Sequence, residues 1–169
     1  FLSPNRTRIA YKDGRVEQIE ADNFVIATGS KPRTMPNIRI DQERILDSDG
    51  VLNLRSFPRR LVIIGAGIVG CEYAAIFSNF RQTKVYLVDN RERIIPFEDE
   101  DLSEFVSSKF RNNGIDIFHS AKVRTIDFRE DHLEVVLDFD DGRAKVLEAD
   151  AALVSIGRVP ALDGLDIEK

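Results

Sequence analysis

Apolar positions along the 169-residue chain change their period several times, and each change predicts an element. "RTRIAY" and "RVEQIEA" are short strand-forming runs joined through Asp13-Gly14, a dipeptide suited to a tight hairpin turn. "NFVIATG" reads as a third strand. From Ser30 to Gly50 two prolines and mixed charge with no sustained period read as a connector crossing the surface between two folded units. "LVIIG" then predicts a buried strand over 61–65, followed by a helix from about 68 to 80 with Ile68, Cys71, Ala74, Ala75 and Ile76 on one stripe. A second apolar strand covers 84–89. "EDEDLSEFVSSKFRNNG" predicts a second helix with Leu102, Phe105, Val106 and Phe110 facing inward, acidic residues at its start and Asn113-Gly114 as its stop. The strand "IDIF", a meander of "KVRTIDF", "LEVVLDF" and "RAKVLEA", and the apolar strand "AALVSIG" complete the chain. Strand, helix, strand, helix, strand with buried apolar strands predicts an α/β fold: a Rossmann-like doubly wound parallel sheet with an inserted antiparallel β-meander.

The junction between the first long apolar strand and its helix is "GAGIVG". Gly65 permits the tight turn, Gly67 lets backbone N–H groups approach a pyrophosphate, and Gly70 lets helix and strand pack closely. The helix N-terminus adds partial positive charge, so the arrangement is a dinucleotide phosphate cradle. A glycine-rich turn that binds nothing has the same six-residue pattern. Context favours the cradle: Asp89 ends the next strand nineteen residues after Gly70, where an acid would hydrogen-bond an adenosine ribose. Such an acid repels a 2′-phosphate and favours NAD; Arg91 or Arg93 beside it could attract that phosphate, or simply form a solvated basic loop.

A second observation concerns the sixty residues before the cradle. "DGRVEQIEADNFVIATGS" (13–30) and "DGRAKVLEADAALVSIGR" (141–158) align without a gap, identical at seven of eighteen positions. A generic hairpin feeding a buried strand does not require that many identities, so the two stretches read as copies of the last third of a nucleotide-binding unit. The opening stretch is then expected to be the tail of another nucleotide domain whose glycine fingerprint lies upstream of Phe1.

Composition narrows the partners. The chain is 43% hydrophobic and 31% charged, enough for one ordinary core, and its net charge of −5 disfavours nucleic acid and anionic membrane surfaces. The longest apolar run, residues 61–70, is too short to span a bilayer. A single cysteine, Cys71, forms no internal disulfide and fits a reducing, cytoplasmic compartment and a packing role. No metal site is expected.

"ATGSKP" (27–32), "GAGIVGCE" (65–72), "VDNRERI" (88–94) and "IGRVP" (156–160) together resemble the FAD-dependent pyridine nucleotide-disulfide oxidoreductases over nearly the whole chain. "RILDSDGVL", "GCEYAAIF" and "DNRERI" are most similar to the soluble transhydrogenase branch of that family, with the dihydrolipoamide dehydrogenase branch next. The resemblance implies residues 1–50 as the end of an FAD-binding domain plus connector, 51–159 as the NAD(P)-binding domain, and 160–169 as a return segment. It implies NAD(P)(H) contacts at Gly65, Gly67, Ile68, Val69, Gly70, Glu72, Asp89, Asn90, Arg91, Val123 and Gly157. Glu72 would lie near the nicotinamide carboxamide, Ile68 would cover the nicotinamide pocket, and Val123 would touch the adenine. Ala27, Thr28 and Gly29 would contact FAD, Arg158 would be structural, and the parent protein would be a homodimer or higher homo-oligomer. No catalytic residue is expected within the chain, which alone would be inactive; the histidine base and dimerisation domain of this family are not in it. A non-catalytic NAD-sensing module and a structural domain with an empty cradle are the rival readings; "ATGSKP" and its in-register partner favour the enzyme.

Overall fold

A computed structural model describes residues 1–167; Glu168 and Lys169, within the expected return segment, lie outside the described residues. The elements in chain order are β1 (Arg6–Ala10), β2 (Val16–Glu20), β3 (Ser30–Pro32), β4 (Ile45–Asp47), a 3-10 turn (Gly50–Asn53), β5 (Arg60–Ile64), α1 (Ile68–Asn79), β6 (Lys84–Val88), α2 (Glu100–Asn112), β7 (Asp116–Phe118), β8 (Ala121–Phe128), β9 (Leu133–Phe139), β10 (Ala144–Ala149), β11 (Ala151–Val154) and β12 (Arg158–Pro160). The chain divides into two compact units, one of Phe1–Lys31 with the segment from Arg158 onward, the other of Pro32–Gly157. Among the described residues no helix is long and apolar enough to cross a membrane.

The larger unit is built on a five-stranded parallel sheet in the order β4-β11-β5-β6-β7. The central strands β5, β6 and β11 carry continuous apolar runs, Leu61–Ile64, Val85–Val88 and Ala151–Val154, because both faces are covered, as parallel strands require. Leu61 and Ile63 of β5, Val85 and Leu87 of β6 and Leu153 of β11 point to the helix side, where they pack with Cys71, Ala74 and Phe77 of α1 and Phe110 of α2. Val62 and Ile64, Val88, Ala152 and Val154 point the other way, onto Val123, Leu133, Val135, Leu137 and Leu147 of the meander β8-β9-β10. The second layer of the α/β sandwich is therefore the meander, whose alternating inward residues seal a face a helix would otherwise cover.

Four local expectations change. On α1 the inward face is Cys71, Ala74 and Phe77, while Ile68 and Ile76, expected on that stripe, are 64% and 46% exposed. The stretch read as a connector contributes β4, which pairs in parallel with β11 and buries Ile45 and Leu46; three residues are too short to reveal a period. α2 buries Ser103, Ser107 and Phe110 and half-buries Val106, while Leu102 and Phe105 are 45% and 60% exposed. The reason is local: the Ser103 hydroxyl donates to the Ile94 carbonyl at 2.7 Å, and the small serine lets the helix approach the preceding loop. Finally, residues 23–29 form no strand, with Val25 93% exposed, because no described residue offers them a ladder to pair with.

The smaller unit holds the β1-β2 hairpin, with Arg6 opposite Glu20 and Ala10 opposite Val16. Its turn and the β9-β10 turn of the larger unit are built alike. Asp13 Oδ1 and Oδ2 accept from Arg15 N and Nε at 3.1 and 2.7 Å; Asp141 does the same for Arg143 at 3.0 and 2.7 Å. Gly14 and Gly142 take φ of 86° and 85° and donate to the carbonyls of Tyr11 and Phe139, each at 3.0 Å. Arg15 and Arg143 lie over those same rings. The repeat seen in the sequence is thus a repeat of hydrogen bonds.

Candidate functional site

All functional candidates of the larger unit except Val123 cluster at the C-terminal ends of β5, β6 and β11 and on the first turns of α1, where ligands of open α/β sheets bind. Each glycine of the fingerprint has its own task. Gly65 sits at φ +99°, donates to the Val88 carbonyl at 2.8 Å, and leaves only 2.6 Å between a hypothetical Cβ and the Ser155 carbonyl oxygen. Gly70 is tighter, since a Cβ there would lie 1.9 Å from the Gly65 carbonyl oxygen and 2.8 Å from Ser155 Oγ. Gly67 is the opposite: it caps α1 in an extended conformation, and a Cβ added there meets nothing within 4 Å. Gly65 lets the end of β11 close against the turn, Gly70 lets α1 close on the turn's own backbone, and Gly67 leaves open room at the helix N-terminus.

Ser155 was not among the expected residues. Its hydroxyl lies 3.0 Å from both the Ile64 and Gly65 carbonyl oxygens, and its amide donates to Ile64 at 2.8 Å, pinning β11 to the turn. A lone small polar residue inside "ALVSIG" was the available signal.

Asp89 is buried, 6% exposed. Its Oδ2 accepts from Ala66 N at 2.6 Å and its Oδ1 from Arg91 N at 2.9 Å, with Arg91 Nε 4.0 Å from the same oxygen. A carboxylate has about four acceptor positions, so a ribose diol can still be received. Asn90 and Arg91 follow on the exposed side, and the Arg91 guanidinium stacks over the Phe97 ring, 5.2 Å from its centroid. Arg93, the other basic candidate, spends its donors on the Pro96 and Glu98 carbonyls at 3.3 and 3.5 Å and faces Glu100 at 3.7 Å. Arg91 is therefore the better placed cation for a 2′-phosphate.

On α1, Ile68 is 64% exposed, Val69 half-buried and Glu72 exposed, so Ile68 and Glu72 can meet a ligand. Val123 is 8% exposed in the meander core and offers an adenine no more than an edge. Gly157 is exposed at φ +108° with open space above it. His119, beyond β7, has its pKa lowered by burial and then by Arg111, whose Nη2 is 3.4 Å from Nε2, against an opposing pull from Asp89. Burial, then the Asp89 charge, raises Cys71 to about 12, so its thiol packs beneath the loop rather than reacting.

In the smaller unit Ala27, Thr28 and Gly29 are exposed. Thr28 Oγ1 donates to the Ala161 carbonyl at 2.6 Å, and Ala161 N donates to the Gly29 carbonyl at 3.0 Å. Arg158 donates from Nε to Ser30 Oγ and from Nη2 to the Ser30 carbonyl, both at 2.8 Å.

A polar hollow of about 530 Å³ lined by Asn79, Arg81, Thr83, Lys84 and Asn113 lies at the opposite, N-terminal end of β6, away from the cradle.

Comparison with known proteins identifies relatives over nearly the whole chain. The soluble pyridine nucleotide transhydrogenase of Yersinia pestis (strain Pestoides F) is 38% identical over 168 residues, covering 99% of this chain and 35% of the relative. The chain thus spans about a third of the length of the curated relatives it matches. Among solved structures, LpdA of Mycobacterium tuberculosis superposes with a TM-score of 0.82 at 29% identity, covering 96% of this chain and 34% of that one. The Cu(II) complex of the HOCl-induced flavoprotein disulfide reductase RclA of Escherichia coli does so with 0.81 at 30%, covering 99% and 37%. The family model described as pyridine nucleotide-disulphide oxidoreductase matches residues 3–169, and the chain, with its glycine cradle, acid and basic loop in the expected order, belongs to that family.

Proposed function

We propose that residues 51–159 are the NAD(P)(H)-binding domain of a soluble pyridine nucleotide transhydrogenase, with residues 1–50 the end of its FAD-binding domain plus the connector and 160 onward the return segment. The observation that carries the nucleotide reading is the contrast within one loop: Gly65 and Gly70 are sealed by backbone while Gly67 is open at the helix N-terminus. Supporting the transhydrogenase reading are the 38% identity across 99% of the chain and a loop that offers both a carboxylate, Asp89, and a cation, Arg91, to the adenosine end of a cofactor.

In this reading the amides at the start of α1 bind the pyrophosphate, Asp89 receives the ribose hydroxyls of NAD(H), and Arg91 receives the 2′-phosphate of NADP(H). Ile68 and Glu72 orient the nicotinamide, and Asn90, Val69, Val123 and Gly157 complete the contacts; Ala27, Thr28 and Gly29 line the flavin side. Hydride transfer between nicotinamide and flavin is chemistry the two cofactors supply when bound, and the residues of this chain hold and orient them. The parent is cytoplasmic and homo-oligomeric.

Stopped-flow flavin reduction of the full-length flavoprotein by NADH and by NADPH tests the reading. Both nucleotides reduce the flavin if it is right. A dihydrolipoamide dehydrogenase-like disulfide oxidoreductase, favoured by the 30% identity to a flavoprotein disulfide reductase, is reduced by NADH with NADPH inert.

A further inference from the structure

The two peptide groups that flank Ala66, between the two glycines that open the cradle, are each held by the loop that follows β6. The Ala66 N–H donates to Asp89 Oδ2 at 2.6 Å, and the Ala66 carbonyl accepts from Ile95 N at 2.7 Å. Ala66 is fully buried and Asp89 nearly so, which leaves water little room to replace either bond. Ile95 makes its bond at φ +38°, a left-handed conformation that a β-branched residue adopts only when its surroundings impose it. The loop is itself anchored: the buried Ser103 hydroxyl holds the Ile94 carbonyl at 2.7 Å, and Ser120 N holds that of Arg91 at 3.0 Å.

We infer that Asp89 is a positioning residue for the phosphate cradle, acting through the Ala66 amide, in addition to any contact with a ribose. The inference deepens the nucleotide reading and rests on it. With the N–H of the Gly65–Ala66 peptide and the carbonyl of the Ala66–Gly67 peptide both engaged, the two peptide planes are fixed, and Gly67 and the start of α1 keep their place below the open space. Removing the carboxylate frees the Gly65–Ala66 peptide and leaves its buried N–H without an acceptor. The same change therefore weakens any ligand that uses the cradle, whatever its adenosine ribose carries. Replacement by alanine does not simply relieve repulsion of a 2′-phosphate and improve NADPH binding.

The test compares wild type, Asp89→Ala and Asp89→Asn in the full chain. Two ligands are titrated by calorimetry: NADH, and its analogue whose adenosine ribose lacks both hydroxyls. Hydrogen exchange at the Ala66 amide is followed without ligand. Asp89→Ala is expected to weaken both ligands by about ten- to a hundredfold, the range for losing a hydrogen bond to a charged group, and to speed exchange at Ala66. Asp89→Asn keeps one oxygen for that amide, so exchange stays slow and the analogue binds within about threefold of wild type. If Asp89→Ala weakens NADH but leaves the analogue untouched, Asp89 acts only on the ribose and the inference is overturned. Should Asp89→Ala fail to fold, Asp89→Ser, whose shorter side chain also withdraws from that amide, takes its place: a weakened analogue with faster exchange at Ala66 supports the inference, and unchanged analogue binding overturns it. Absence of NADH binding by wild type sinks the nucleotide reading instead, and the exchange measurement still judges the strut.

Discussion

Gly67 and Gly70 separate binding from folding. Valine at position 67 accepts the extended backbone of Gly67 but fills the space above the helix N-terminus, so Gly67→Val should remove NADH binding in calorimetry while leaving thermal unfolding within about 0.5 kcal/mol of wild type, as for other substitutions away from packed sites. Gly70→Ala should do the reverse. Its Cβ would overlap the Gly65 carbonyl, and overpacking of that kind costs about 1–3 kcal/mol, read as a lower denaturant midpoint. Arg91 carries the discrimination between cofactors: Arg91→Ala should weaken NADPH by about 1–3 kcal/mol, the range for a charge-assisted bond, and leave NADH almost unchanged. Cys71 supplies a pH signature. The folded state holds its thiol at about 12 against a reference of 9.0, so the unfolded chain loses the proton first. The thiol's contribution to stability is therefore complete below pH 9 and falls away as pH rises from about 9 to 12. Equilibrium unfolding of wild type and Cys71→Ala across that window should converge as the pH rises.

At the scale of elements, α2 and the loop before it behave as one piece. Ser103→Ala leaves the Ile94 carbonyl without its donor and should lower stability by about 1–3 kcal/mol, whereas Phe105→Ser on the exposed face should change it by no more than about 0.5 kcal/mol. An outcome in which Phe105→Ser is the more damaging of the two would restore the inward face expected from the sequence. The β1-β2 and β9-β10 turns provide a matched pair: Asp13 and Asp141 each accept from the amide and the guanidinium of the arginine two residues on, which holds both carboxyls below their usual pKa range, chiefly through the Arg15 side-chain bond at Asp13 and the Arg143 backbone bond at Asp141. Both groups are fully exposed, so their titration by NMR should shift down together while contributing little to stability.

For the whole molecule, the cradle belongs to one compact unit and Ala27, Thr28 and Gly29 to the other. The 169-residue chain spans about a third of its relatives, and it should purify without a flavin spectrum and without diaphorase activity while still binding one NADH. A yellow protein would contradict the division of labour proposed between the two nucleotide sites.

Much of this was legible in the residues alone, and for definite reasons. The parallel strands were visible because burial on both faces makes them continuous apolar runs, α1 because a glycine cradle must open a helix, the meander because alternation survives when one face is sealed, and the repeat because the Asp-Gly-Arg turn needs those side chains for its own hydrogen bonds. The element order could be read that way, whereas the inward face of α2 and the state of residues 23–29 could not. What tertiary structure alone decided involves partners far apart in the chain: that β4 joins the sheet through β11, that α2 turns serines inward because the Ile94 carbonyl needs a donor, that Ser155 pins the glycine turn from ninety residues away, and that Asp89 reaches back to Ala66. Sequence pattern records how a residue suits water or core, and it carries no record of which distant backbone group its polar atoms will satisfy.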